Sequence, residues 1–144
     1  MQAFTAPLLE LAEFETVLKK RREKKGILQF SGCVNSQKTH MMYALSDGFE
    51  RKIIATSSEM KAKQIYEEYR FLDSDIYQYP AKDLLFYQAD LRGKYLLKQR
   101  MEVFQAIMEG RGATVVTSFD GFMDALLPKE TIEERKCNFK RTNN

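Results

Sequence analysis

Apolar and polar positions along the chain switch repeatedly between a helical and a strand-like period. From residue 7 to about residue 25, Leu8, Leu11, Phe14 and Val17 or Leu18 recur at helical spacing with charges opposite, and Gly26 supplies the stop. ILQFSG, residues 27–32, is a short apolar run ending in glycine, which predicts a buried strand feeding a turn. Residues 38–46 turn helical again, closed by Asp47 and Gly48.

The scheme then repeats. A strand is predicted over about 52–56, followed by a helix from Ser58 in which Ala62, Ile65 or Tyr66, and Tyr69 share a face. Thr56 and Glu59 have the spacing of a capping box at that junction. IYQYP, residues 76–80, reads as a third strand halted by proline, and a loop, AKDLLFYQADLRG, follows. Leu97, Met101, Phe104 and Met108 predict a longer helix over about 93–109, ended by Gly110 and Gly112. ATVVTS, residues 113–118, is apolar and β-branched enough for a buried strand, and FDGFMDALLP is a short helical segment ended by Pro128. Residues 129–144 lose apolar periodicity and read as a polar, disordered tail. Strands alternating with helices predict a three-layer α/β domain over 1–128, a parallel sheet flanked by helices on both faces.

Length and composition fit that picture. The chain has 144 residues, 44% of them hydrophobic and 30% charged, enough for one core in one domain. Its net charge of +3, from 23 basic and 20 acidic residues, is too balanced to demand a nucleic acid. The excess is local: KKRREKK gathers Lys19, Lys20, Arg21, Arg22, Lys24 and Lys25, which could contact phosphates or simply suit the end of a helix. Two cysteines, Cys33 and Cys137, and a single histidine, His40, suggest neither a zinc site nor a disulfide framework. With no export signal and no apolar run near the ~18 residues of a membrane span, a cytoplasmic location is expected.

The chemically suggestive stretch is GCVNSQKT, residues 32–39. It is one letter from the phosphate-binding pattern G-x-x-x-x-G-K-[ST], because Gln37 stands where the second glycine belongs. Such a loop wraps an anion with backbone N–H groups at a helix start, while the lysine reaches the terminal phosphates and the hydroxyl holds magnesium. The predicted context is right: a strand ending near residue 31, a loop from Gly32, and a helix from about Lys38, with Lys38 and Thr39 in the functional positions. A side chain at position 37 would crowd the anion and cost about 1–2 kcal/mol in the dihedrals glycine adopts there. An acidic residue at a strand end should complete the magnesium site. The one candidate, Asp120, stands past its strand and reads better as a helix cap. A working site, the remains of one, and a chance strand-turn-helix are the three readings these residues allow.

Taken together, SGCVNSQKTHMMYALSD, KIIATSSEMKAKQIYEEYRFL, YPAKDLLFYQADLRGKYLLKQRMEVFQAIMEG and ATVVTSFDGFMDALLP resemble the N-terminal, UvrB-like region of the bacterial transcription-repair coupling factors, the Mfd family. The resemblance extends from about residue 4 to residue 128. It implies a degenerate P-loop NTPase lobe, similar to the first domain of UvrB, that does not hydrolyse ATP, in keeping with Gln37. The family displaces RNA polymerase stalled at DNA damage with an ATP-driven translocase and recruits UvrA for nucleotide excision repair. Its polymerase-binding module and motor lobes lie beyond the matching segments. The resemblance therefore implies a scaffold module that is not an enzyme and carries no cofactor. The alternatives are a loop that retains ATP and magnesium through Gly32, Gln37, Lys38 and Thr39, and a DNA-binding surface at the basic run. The polar ending RKCNFKRTNN departs from the start of the family's UvrA-contacting module.

Other constellations have plainer readings. Tyr79, Phe86 and Tyr87 could stack on bases, but the consecutive apolar residues Leu84, Leu85 and Phe86 favour packing against the sheet. Arg100 suits a structural ion pair with Asp83 or Asp90. A nucleophilic Cys33–His40 pair lacks a visible orienting group or oxyanion hole.

Overall fold

A computed structural model of the chain describes residues 2–22, 27–82 and 90–124. The elements run α1 (Gln2–Leu9), α2 (Ala12–Arg22), α3 (Asn35–Leu45), β1 (Arg51–Thr56), α4 (Glu59–Tyr69), β2 (Ile76–Tyr79), α5 (Asp90–Met108), β3 (Ala113–Ser118) and α6 (Phe119–Met123). The protein is α/β, with three parallel strands in the order β1-β3-β2 flanked by helices. No helix among the described residues is long and apolar enough to cross a membrane.

β3 forms because ATVVTS is β-branched almost throughout and both its faces are covered: all six residues are buried. Its two faces define two cores. On one, Val116 packs with Tyr43 of α3, with Ala62 and Tyr69 of α4, and with Ile76. On the other, Val115 joins Tyr79 and Val103 of α5, with Phe104 against them. Tyr43 and Tyr69 meet edge to face, with centroids 5.8 Å apart, and Ser46 hydrogen-bonds the Tyr69 hydroxyl at 2.9 Å.

The expected strand over residues 27–31 is not formed. The segment carries no secondary structure, Ile27 is 97% exposed, and Leu28 and Phe30 are each 41% exposed. An apolar run becomes a strand only where a neighbouring strand takes up its N–H and C=O groups, and no strand of the sheet pairs with this one. The single N-terminal helix expected over residues 7–25 is two helices. The break is a turn in which the Leu11 N–H donates to Leu8 O at 3.2 Å and the Phe14 N–H to Leu11 O at 2.9 Å. This turn lets α2 bury Phe14 while Leu9 and Leu11 stay exposed. The expected tail over 129–144 and the apolar run Leu84–Leu85–Phe86 lie outside the described residues.

Candidate functional site: the segment from Gly32 to Thr39

Gly32 adopts a left-handed conformation, φ +81°, that a residue with a Cβ would resist. The helix after it starts earlier than a phosphate loop allows: α3 begins at Asn35, so Asn35, Ser36 and Gln37 are wound into its first turn. The Gln37 N–H donates to Val34 O at 2.8 Å and the Lys38 N–H to the same oxygen at 3.3 Å. The Gln37 carboxamide folds back, and its Oε1 accepts the Val34 N–H at 3.3 Å. This is the reach-back half of a capping box, in which a glutamine at the third helical position satisfies an orphan donor ahead of the helix. Three amides that an anion nest would aim at phosphate are therefore paired within the chain. At position 37 the side chain thus makes an attractive contact with the backbone ahead of the helix.

Thr39 is turned toward α4. It is buried, and its hydroxyl donates to Glu68 Oε2 of α4 at 2.6 Å, while Glu68 Oε1 accepts from Gln64 at 3.0 Å. The Thr39 hydrogen bond, with Gln64 adding to it against the opposing effect of burial, holds the Glu68 carboxyl below the usual glutamate value. The hydroxyl expected at magnesium is instead a clamp between α3 and α4. Lys38 is exposed and has no ion-pair partner among the described residues. An open groove of about 590 Å³ beside these helices has Ser36, Gln37, Thr39, His40, Glu68 and Phe71 among its lining residues.

Thr39→Val keeps the shape and removes the donor. We expect a loss of about 1 kcal/mol in urea unfolding, diminishing in acid. The sign follows from the depressed Glu68 pKa: the contribution is whole above the unfolded value and is lost as pH falls through the folded one.

The carboxyl ends of parallel strands are where α/β sheets bind ligands, and here those of β2 and β3 are tied together by structural contacts. Glu59 does not pair with the Thr56 backbone as the capping-box spacing suggests. The N-cap is Ser58, whose side chain accepts from the Lys61 N–H at 3.3 Å, and the Glu59 carboxylate instead accepts from the Ala81 N–H at 3.1 Å and from the Ser118 hydroxyl. Ser118 caps α6, accepting from the Gly121 N–H at 3.0 Å, so the cap is Ser118 and Asp120 is an exposed residue of the first turn. Arg100 is 7% exposed and meets Asp124 at 2.8 Å and Pro80 O at 2.9 Å. Its guanidinium lies 4.2 Å from the centroid of the Tyr79 ring. Arg100 thus has a structural partner in Asp124. Asp83 and the Asp90 side chain lie outside the described residues.

The basic run divides. Lys19 and Lys20 are exposed. Arg21 donates to Leu45 O at 2.7 Å and to Asp47 O at 2.6 Å, and lies over the Phe49 ring at 5.2 Å. A cation on the last carbonyls of α3 is what its macrodipole favours, so Arg21 ties α2 to the end of α3. The Arg22 side chain, Lys24 and Lys25 lie outside the described residues. No cluster of three or more His, Cys, Asp or Glu residues able to hold a metal occurs among the described residues.

Sequence reasoning places Gly32, Gln37, Lys38 and Thr39 in one short segment, and the structure directs Lys38 to solvent and Thr39 to α4. Glu59, Ser118 and Asp124 are missed by it because their partners are distant in the chain. No family model, curated protein or solved structure matches this chain.

Proposed function

We propose that this chain is a catalytically silent, UvrB-like scaffold module of the transcription-repair coupling factor kind, a degenerate P-loop lobe that positions other domains without turning over nucleotide. The observation that carries this reading is Gln37, whose side chain accepts the Val34 N–H in place of a phosphate oxygen. Thr39 supports it, since its hydroxyl is held by Glu68, and so does the resemblance of the four segments set out above. In this reading UvrA, RNA polymerase and DNA are partners of the family as a whole. The residues here contribute a rigid α/β support.

A thermal-shift measurement tests the proposal. A native site with a Kd near 10 μM would add about 2.7 kcal/mol at a hundredfold excess of ligand, a rise of several degrees for a domain of this size. We expect Mg-ATP at about 1 mM to leave Tm unchanged in the parent and in Lys38→Ala alike. A rise in the parent that Lys38→Ala removes would overturn the scaffold reading.

A further inference from the structure

Among the described residues, β1 is an edge strand with one side unpaired. β3 pairs with one side of it, and no strand among the described residues pairs with the other. Register shows which way its side chains turn. Ile54 is opposite Val116 and Ile53 opposite Val115, and partners in a parallel pair share a face. Ile54 therefore faces the α3–α4 core, where it packs, and Ile53 faces the side of α5. α5 covers β2 and β3 there and leaves Ile53 64% exposed. α6, packed against β1 and β3, adds Phe119, Phe122 and Met123, exposed by 62%, 54% and 71%.

Edge strands are ordinarily blunted by proline, bulges, shortness or outward charge. β2, the opposite edge, is only four residues long and is followed at once by Pro80. β1 has six residues and no proline; its Lys52 is drawn to Asp73 at 3.5 Å, and its one outward charge, Arg51, stands at the very start of the strand.

We propose that β1 pairs antiparallel with β1 of a second copy about a two-fold axis at Ile53, joining two three-stranded sheets into one of six strands. This inference does not rest on the functional reading above. The register is self-complementary. Centred on Ile53, it sets Lys52 opposite Ile54 and Arg51 opposite Ala55 of the other copy, so no like charges meet. Residues directly opposite share a face, so the two exposed Ile53 side chains touch on the side that α5 leaves open. A two-fold pairing also closes on itself, where a head-to-tail contact would propagate.

Ile53 and the three α6 side chains expose on the order of 400 Å² per copy. Six residues of strand backbone bring this toward the ~800 Å² per partner of a standard interface. With an interface below standard size, we expect an affinity in the micromolar range.

Sedimentation velocity from about 1 to about 200 μM brackets that affinity. The parent should pass from monomer to dimer, and Ile53→Lys, which sets like charges opposite one another, should weaken association at least about tenfold with an unchanged circular dichroism spectrum. Ile53→Cys, in a background with Cys33→Ser and Cys137→Ser, decides the register even if the lysine variant fails to fold. Under oxidation it should form a disulfide-linked dimer in high yield. A parent that stays monomeric throughout, or a dimer in which Ile53→Cys does not cross-link, overturns the proposal.

Discussion

Arg100→Ala is expected to destabilise the fold by about 3 kcal/mol, the low end of what removing one partner of a buried ion pair costs. Arg100 is nearly inaccessible, and its loss strands two acceptors at once, the Asp124 carboxylate and Pro80 O. It also removes the cation from the Tyr79 ring. The low end applies because the Asp124 side chain keeps 23% of its surface exposed, so water relieves part of the unpaired charge. Urea unfolding of the two proteins gives the difference. A value under about 1 kcal/mol would place this pair with ordinary surface salt bridges. Acid should narrow the gap. Burial pushes the Asp124 carboxyl up, but the Arg100 hydrogen bond, the Lys82 backbone N–H and the charges of both cations outweigh it, leaving the carboxyl below its ordinary 3.8. A carboxyl depressed on folding contributes fully above its unfolded value and loses that contribution as pH falls through the folded one. The parent's advantage over Arg100→Ala should therefore begin to narrow below about pH 4, while the share due to Pro80 O and the Tyr79 ring persists.

Gly121→Ala should cost about 2 kcal/mol, although alanine is the better helix former by nearly 1 kcal/mol. A Cβ at Gly121 would stand 2.5 Å from Thr117 Oγ1, 3.1 Å from the Ala81 N and 3.2 Å from the Tyr79 O. Two of these three atoms are backbone at the end of β2, so neither can swing aside. The Thr117 hydroxyl is itself buried and hydrogen-bonded to Ser118 O. Relief must come from moving α6, which would disturb the Ser118 cap and with it the Glu59 contact that ties β3 to the end of β2. Thr117→Ala should recover part of the loss in a double-mutant cycle. If Gly121→Ala proves neutral or stabilising, the close approach of α6 to the sheet is wrong.

These two effects show what could and could not be read from residue order. β3 was legible because a strand destined for the centre of a sheet, covered on both faces, shows as a near-continuous run of β-branched and apolar residues. The α4 face holding Ala62 and Tyr69 was legible from its spacing, and both residues are buried. α3 was misplaced at its start because the phosphate-loop pattern claims the residues just before Lys38 for a loop. A glutamine three positions past Val34 is equally a helix-start signal, and the local hydrogen bond prevails. Glu59, Arg100 and Thr39 carry the larger lesson: each side chain reaches a group 20 or more residues away. Periodicity reports which face of an element is buried, and it is silent about which distant acceptor a polar side chain will meet. Residues 27–31 show the same limit for strands, since pairing needs a neighbour that a local apolar run does not specify.

Calorimetric titration of the unaltered chain with Mg-ATP asks most directly whether the segment from Gly32 to Thr39 can hold a phosphate. With Val34, Gln37 and Lys38 amides paired inside the chain and the Thr39 hydroxyl bound to Glu68, no heat beyond dilution is expected at nucleotide concentrations up to about 1 mM, where a ligand bound by as little as ~4 kcal/mol would register. Saturable heat with a Kd in the low micromolar range, about 8 kcal/mol of binding, would contradict the account.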